Sequence, residues 1–271
     1  MKDVFIAVGI VFAVALVLGV ALCVLDRFFS IPEDERKKKA RACLPGINCG
    51  ACGYKGCDDY AAALAAGKAA PNLCIPGGEE VAASVAAVLG VENTAKPLDM
   101  VAFVHCNGVC DAVAKKTVYN GVNTCRAASM LYGGPSACHY GCLGCGDCAA
   151  ACPMDAICLE DGIARVDTRR CVGCGMCVKT CPKGIISMIP QETQVANYCS
   201  NKDKGAVARK TCKNACIGCM KCEKVCPSGA IKVVENLATV DAKKCTGCGA
   251  CAAGCPTGCL KMVYFPDLVE E

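Results

Sequence analysis
The run Cys142-x2-Cys145-x2-Cys148-x3-Cys152-Pro153 occurs four times in the second half of this chain, with the other copies beginning at Cys171, Cys216 and Cys245. Each copy offers three thiols at one short interval and a fourth that leaves the loop just before a proline. Such a chain must fold around what the thiols hold. Thirty Cys, no Trp and 5% aromatics leave too little bulk for one large apolar core, and metal binding can supply folding energy in its place. Structural zinc usually takes two CxxC pairs from separate places and closes tetrahedrally. The third Cys and the x3-Cys-Pro ending are more than zinc needs. A secreted disulfide scaffold is typically short and follows a cleavable leader. The 271 residues, and an N-terminus unlike a cleavable signal, do not suit that description. The C-x3-C-x2-C spacing of radical-generating sites also occurs, at Cys138-Cys142-Cys145 and Cys212-Cys216-Cys219, but both copies overlap the four runs.

The four runs resemble those of bacterial two-cluster ferredoxins, where three thiolates of one loop hold a [4Fe–4S] cluster and the fourth crosses to its neighbour. On that pattern Cys142, Cys145, Cys148 and Cys181 hold one cluster, and Cys171, Cys174, Cys177 and Cys152 the next. The second pair is Cys216, Cys219 and Cys222 with Cys255, then Cys245, Cys248 and Cys251 with Cys226. The pairs are an internal duplication. Every ligand from Cys142 to Cys181 recurs 74 residues later, and within each pair the half-repeat is 29 residues. Ile157, Ile186, Ile231 and Leu260 each fall five residues after the last Cys of a run, and residues 162–167 match 236–241. These positions predict the short strands that cover a two-cluster core. Pro153, Pro182, Pro227 and Pro256 set the chain direction after each fourth ligand.

A separate set, Cys49-x2-Cys52-x4-Cys57-x16-Cys74, lies in residues 43–78. Glycines in GINCGACGYKGC let the backbone wrap closely and leave N–H groups free to approach cluster sulfurs. Residues 58–66 are good helix formers that Gly67 stops, and an anionic cluster at that helix N-terminus gains from the dipole. The spacing fits a fifth [4Fe–4S] site, with zinc as the alternative. Five clusters reverse the charge balance. The formal +4 becomes about −6, because an oxidised four-thiolate cubane carries roughly −2. An acidic holoprotein is a poor partner for nucleic acid.

Residues 4–25, VFIAVGIVFAVALVLGVALCVL, run for 22 positions without a charge. As a helix they would rise roughly 33 Å against a hydrocarbon core of about 30 Å. The sequence therefore predicts a transmembrane anchor over residues 1–25, with a buried helix of a soluble protein as the alternative. A signal peptide would have a shorter apolar region, and Leu22 before Cys23 does not suit lipoprotein processing. Arg27, Arg36, Lys37, Lys38, Lys39 and Arg41 follow the span, against Lys2 beside Asp3 before it. The positive-inside rule then predicts a single-pass protein of the cell membrane with residues 26–271 on the cytoplasmic side, which suits reduced thiols.

Residues 26–42 read as a charged, helical connector. Residues 79–137 read as a small α/β segment. It contains the helix EEVAASVAAVLG with Val81, Val85, Val88 and Leu89 on one face, a buried strand over residues 100–105, and a tight hairpin at Asn120-Gly121. Ferredoxin module 1 then spans residues 138–190, a linker 191–215 and module 2 residues 216–265. The predicted fold class is α+β: one N-terminal transmembrane helix, a small [4Fe–4S] domain, a small α/β segment and two tandem ferredoxin modules. Ten cysteines remain: Cys23, Cys43, Cys106, Cys110, Cys125, Cys138, Cys158, Cys199, Cys212 and Cys259. Cys106, Cys110, Cys125 and Cys138 could hold a sixth cluster. Cys125 and Cys138, however, recur as Cys199 and Cys212 at the 74-residue offset, where Cys106 and Cys110 would meet Thr180 and Gly184. That favours buried thiols or a redox pair. His105 and His139 border these cysteines and are candidate metal ligands, although a lone His is more often an ordinary packed residue.

An apolar span, then Cys49-x2-Cys52-x4-Cys57-x16-Cys74, then ferredoxin repeats: this order resembles the B subunit of the Rnf ion-translocating electron transport complex. LPGINCGACGYKGC at 44–57, Gly77-Gly78 before a helix and YGCLGCGDCAAACPMDAI at 140–157 carry the likeness, which covers essentially the whole chain. Two ferredoxin modules stand where many relatives have one. The resemblance implies a membrane complex passing electrons between reduced ferredoxin and NAD, coupled to Na+ or H+ movement, with other membrane and flavin subunits as partners. It also implies that this subunit takes electrons from soluble ferredoxin and relays them inward. The residues alone reach less far. There is no GxGxxG, Walker run or Ser/His/Asp set, and one span without an intramembrane carboxylate is no ion channel. Cubanes with four Cys ligands shuttle single electrons. The chain is thus expected to be a subunit of an oxidoreductase with no substrate chemistry of its own beyond electron transfer. The alternatives are a membrane-anchored polyferredoxin serving another reductase or hydrogenase, and a zinc-rich scaffold. Residues 216–255 are expected to form the side where electrons enter.

Overall fold
The computed structural model describes residues 2–29, 34–91 and 100–263. Helix α1, Lys2–Phe29, has 28 residues. The predicted transmembrane anchor fails here: among the described residues no helix is long and apolar enough to cross a membrane. Side chains of α1 are described without a break only over residues 12–25, which rise roughly 21 Å against about 30 Å of hydrocarbon. The single-pass topology, the cell-membrane localisation and the cytoplasmic placement of residues 26–271 rested on that anchor and fall with it. Parts of three predicted segments lie outside the described residues: 30–33 of the connector, 92–99 of the α/β segment and 264–265 of module 2.

Three helices build the first compact unit. Helix α2, Glu35–Cys43, begins where the Asp34 carboxylate accepts from Arg36 N–H at 2.9 Å, an N-cap on an otherwise very basic helix. Helix α3, Cys57–Ala65, starts one residue before the predicted helix. Helix α4, Gly78–Leu89, ends on Gly90 in the left-handed region at φ 68, the usual glycine stop. Their core is Ala40, Leu44, Tyr60, Ala61, Leu64 and Val85, with Val81 and Leu89 packed beside it. Val88, expected on the same face, is exposed. The predicted connector and the first helix of the predicted α/β segment therefore pack onto residues 43–78 instead of leading to and from them.

Two copies of one β arrangement follow. Strand β1, Met100–Val104, is buried as predicted, and α5, Cys125–Met130, comes before α6, Asp147–Ala150. Strands β2, Ile157–Glu160, and β3, Ile163–Val166, form an antiparallel hairpin. Helix α7, Met176–Thr180, leads to β4, Ile186–Pro190, which pairs antiparallel with β1 from Val104↔Ile186 to Met100↔Pro190. The second copy runs β5, Val195–Asn197, α8, Gly205–Thr211, α9, Lys221–Val225, β6, Ile231–Val234, β7, Leu237–Val240, α10, Ala250–Ala253, and β8, Leu260–Met262. Here β6 pairs with β7 and β5 with β8, again antiparallel. Each of the four strands predicted from the five-residue rule begins on the named residue. Both hairpins turn on two residues with positive φ, Asp161-Gly162 and Glu235-Asn236, the twist that a two-residue β-turn requires.

Two features differ from the sequence reading. Strand β1, placed in the α/β segment, and β5, placed in the linker, are the first strands of the two modules. Their partners lie 82 to 90 residues further on for β1 and 63 to 67 for β5, so local pattern did not reveal the pairing. The predicted hairpin at Asn120-Gly121 is absent: residues 117–122 contain no strand. The Tyr119 hydroxyl donates to the Val122 carbonyl at 3.0 Å, and the chain there is a side-chain-closed loop.

Candidate iron–sulfur sites
In the first unit the loop before α3 is folded by Asn48, whose side-chain oxygen accepts from Cys57 N–H at 2.9 Å. Tyr60 is 1% exposed. Its hydroxyl donates to the Ala70 carbonyl at 2.7 Å and accepts from Leu73 N–H at 3.3 Å, which ties the segment carrying Cys74 to α3. Burial pushes the Cys74 thiol up to about 11, and the neighbouring Cys57, Cys49 and Cys52 sulfurs raise it further. The four predicted ligands thus face one another. A metal bound among them would displace the proton that burial holds on Cys74.

Module 1 groups its predicted ligands in the crossed sense, except that Cys145 is not among the residues lining the cavity of its set. Cys142, Cys148 and Cys181 line a cavity of about 340 Å³ under Val104, Ile185 and Ile186. Burial drives Cys148 up to about 12, followed by the Cys142, Cys125 and Cys181 sulfurs. In the neighbouring set, burial raises Cys177 to about 11, with Cys171, Cys174 and Cys152 beside it. The Cys171 sulfur accepts from Ala102 N–H of β1 at 3.5 Å and the Cys152 sulfur from Ala156 N–H at 3.3 Å. Such N–H···S contacts orient ligands and tune a cluster's potential. Cys49 is a further close neighbour of Cys174, and Lys179 on α7 donates to the Cys49 carbonyl at 2.7 Å. The first unit therefore docks on the Cys171 loop.

Module 2 repeats the arrangement. Cys216, Cys219, Cys222 and Cys255 line a cavity of about 310 Å³, while Cys251 lies near Cys245 and Cys226. Of the twenty predicted ligands, only Cys219 and Cys248 are exposed. Cys259 enters this site unpredicted, with its sulfur 3.6 Å from that of Cys255. Hydrogen bonding from Cys259 lowers Cys255 to about 4 and Cys216 to about 6, while the Cys259 thiol itself is pushed up by the same two partners. A thiol held protonated beside two thiolates is a hydrogen-bond donor to the site.

The unassigned cysteines divide differently from expectation. Cys125 lines the module 1 cavity beside Cys142, Cys148 and Cys181. Thr124 caps α5 by accepting from Ala127 N–H at 3.2 Å, and the Asp147 carboxylate accepts from Cys125 and Arg126 N–H at 2.9 and 3.1 Å. Cys110 is exposed and packs by Gly162. Cys106 and Cys138 instead face a third cavity, of about 310 Å³, together with Cys199 and Cys212. The predicted quartet of Cys106, Cys110, Cys125 and Cys138 is therefore not assembled, nor is a Cys125/Cys138 pair. Cys138 and Cys142 line different cavities, which removes the radical-type run. His105 is not a ligand: Nδ1 lies 2.8 Å from the Asn197 carbonyl and Nε2 2.6 Å from Ser187 Oγ, and burial lowers its pKa. None of the thirty cysteines is in a disulfide. Among the described residues no three side chains converge tightly enough for a single metal ion. Zinc would hold its sulfurs within roughly 3.8 Å of one another at a Zn–S distance of about 2.3 Å, whereas a cubane spreads its four ligands over separate corners.

Comparison with known proteins finds iron–sulfur families over the same stretches of chain. Residues 44–76 match the family described as "Putative Fe-S cluster". Residues 141–185 and 215–259 match a family described as "4Fe-4S dicluster domain", and a second family of that description matches residues 170–231. The chain is 42% identical over 245 residues to the B subunit of the Na(+)-translocating ferredoxin:NAD(+) oxidoreductase complex of Acetobacterium woodii, covering 90% of this chain and 73% of that one. It is 41% identical to the B subunit of the proton-translocating ferredoxin:NAD(+) oxidoreductase complex of Clostridium ljungdahlii, over 89% of this chain and 85% of that one. The B subunit of the ion-translocating oxidoreductase complex of Methanosarcina acetivorans is 38% identical over 90% of each chain.

Proposed function
The chain belongs to the B-subunit family of ion-translocating oxidoreductase complexes, and from that premise we propose how its residues serve the complex. It is an iron–sulfur electron-transfer subunit of an ion-translocating ferredoxin:NAD oxidoreductase, an enzyme complex in which it has other subunits as partners. In our reading five [4Fe–4S] clusters are held by Cys49, Cys52, Cys57 and Cys74 and by the four crossed sets of the two modules. Bound there, the clusters would supply one-electron transfer at potentials set by charge, burial and hydrogen bonding. The observation that carries this reading is the crossed grouping itself: Cys152 lies with the Cys171 loop, and Cys255 with the Cys216 loop. What the chain does is hold thiolates in dry cavities, aim backbone N–H groups at them and pack the sites close together.

Electrons enter, we infer, at module 2, from a soluble ferredoxin, and leave through partner subunits. Cys219 and Cys248 are the ligands that reach the surface. Lys221, Lys224, Lys243 and Lys244 are exposed and lie within five residues of them in the chain, with Lys244 paired to Asp241, a local basic excess that suits a partner whose own clusters are anionic. In the intact complex, Cys219→Ser with Cys248→Ser should abolish ferredoxin-driven NAD reduction. NADH oxidation by an artificial acceptor at another subunit should persist. Unchanged ferredoxin-driven activity would remove module 2 from the path and leave module 1 as the receiving side.

A further inference from the structure
We propose that Cys106, Cys138, Cys199 and Cys212 ligate a sixth [4Fe–4S] cluster that joins the two ferredoxin modules. This rests on the five-cluster reading above but uses none of its ligands. These four thiols line one cavity together, as proposed ligands do at the Cys142 and Cys216 loops. Cys106, Cys138 and Cys212 are 7%, 6% and 7% exposed, as buried as the best-shielded ligands of the predicted sites.

The quartet is two equivalent pairs, one from each module. Cys106 follows the end of β1 by two residues, and Cys199 follows the end of β5 by two. Cys138 and Cys212 each stand four residues before the first ligand of their module, Cys142 and Cys216. The 74-residue offset misses the Cys106/Cys199 equivalence because residues between Cys106 and Cys138 include an insertion. Docking of the arms supplies the rest. Ala114 N–H donates to the Thr211 carbonyl at 3.0 Å and Lys213 N–H to the Ala112 carbonyl at 2.9 Å, and Asn214 donates to the Asn107 carbonyl at 2.8 Å.

The hydrogen bonds are those of a ligand shell. The Cys106 sulfur accepts from Gly108 and Cys142 N–H, each at 3.4 Å. The Cys199 sulfur accepts from Asn201 N–H at 3.4 Å and Cys216 N–H at 3.2 Å. Asn201, 1% exposed, turns its amide toward the Cys138 sulfur at 3.6 Å. Donors aimed at buried sulfur stabilise thiolate and lower the cost of ligation. Structural buried thiols would need none of them.

Position gives the site its purpose. Two of those N–H groups belong to Cys142 and Cys216, the first ligands of the nearest cluster in each module, so the quartet lies directly between the modules. Loss of one electron from the cluster on one side, balanced by gain of one on this cluster, then its release to the other side, carries charge across with no bond made or broken. Without it, the path between module 1 and module 2 has a gap at their interface.

The test counts clusters in the full-length protein, assembled or reconstituted without oxygen, by native mass spectrometry with iron, sulfide and zinc assays. The unsubstituted chain should carry six clusters and about 24 iron, at four iron per cluster. Cys106→Ala with Cys212→Ala should lose one cluster, to about 20 iron, while Cys158→Ala, exposed and outside the lining of these three cavities, should keep six. Five clusters in the unsubstituted chain would overturn the proposal and leave the five-cluster reading standing; fewer than five, or zinc in their place, would sink both. Six clusters retained in the double variant would overturn this ligand set. The count on the unsubstituted chain needs no variant, so a double variant that does not fold leaves that decision intact.

Discussion
In the site proposed at the Cys142 loop, Cys125 and Cys145 stand close enough to compete for one coordination position. Ligand spacing points to Cys145, in the middle of its loop, and nothing in the pattern points to a thiol 17 residues before Cys142. The cap on α5 and the Asp147 carboxylate bring Cys125 to the cavity wall, where it stands with Cys142, Cys148 and Cys181. Burial and then the Cys125 sulfur push the Cys145 thiol up, which places the two sulfurs side by side. Cys145→Ser should therefore leave the iron count of the protein unchanged, and only the double change with Cys125→Ser should remove one cluster. Loss of four iron from Cys145→Ser alone would return the position to Cys145. His105 was a candidate ligand by adjacency; its two ring nitrogens turn out to be committed to Asn197 and Ser187, which no sequence pattern reveals.

Loops and strands were the most legible level. Each ligand loop has glycine two residues after its first Cys, and Gly144, Gly173, Gly218 and Gly247 all have φ between 62 and 69. That left-handed turn wraps the loop around its contents, and a side chain there costs about 1–2 kcal/mol in backbone conformation alone. Surroundings then decide how much more. A Cβ on Gly144 would run into the Gly162 carbonyl of the β2–β3 turn, whereas Gly175, at φ 69, has nothing within 4 Å. Gly175→Ala should cost only the conformational ~1 kcal/mol, and Gly144→Ala a further ~1–3 kcal/mol for displacing backbone. Thermal loss of visible absorption should thus occur at a clearly lower temperature in Gly144→Ala than in Gly175→Ala. Equal midpoints would show that the loop shifts freely and that the carbonyl contact does not constrain it.

Taken together, the modules have cores in which thiols take the place of much apolar bulk. In module 2 the buried cluster is Val195, Cys216, Cys222, Ile231, Ala238, Cys251, Cys259 and Leu260, so half of its side chains are thiols. In module 1, Cys106, Cys148 and Cys177 stand among seven apolar residues, four of them Ile. With so little apolar area to bury, folding depends on what the thiols bind. Stripping iron with a chelator under reducing conditions should abolish amide-exchange protection in β1–β8. Protection in α3 and α4 should fall less, because Tyr60, Leu64 and Val85 pack against one another. An iron-free protein that kept its strand protection would show that the apolar residues suffice.

The strand starts and the family were readable from the chain, because they depend on spacings of a few residues that repeat, and the ligand sets proposed for the modules follow the same spacings. Charge-free length was readable too, yet it misled: residues 4–25 predicted a span, and the described residues contain no helix long and apolar enough to make one. Hydropathy reports which solvent a segment tolerates, not where it lies. Only the tertiary structure decided that β1 and β5 begin the modules, that Cys125 reaches the Cys142 site, and that Cys106 and Cys138 meet Cys199 and Cys212. Those outcomes depend on strand partners far apart in the chain and on one module docking against the other. Such contacts carry no periodicity, so residues 93 apart can share a cavity without any local sign of it.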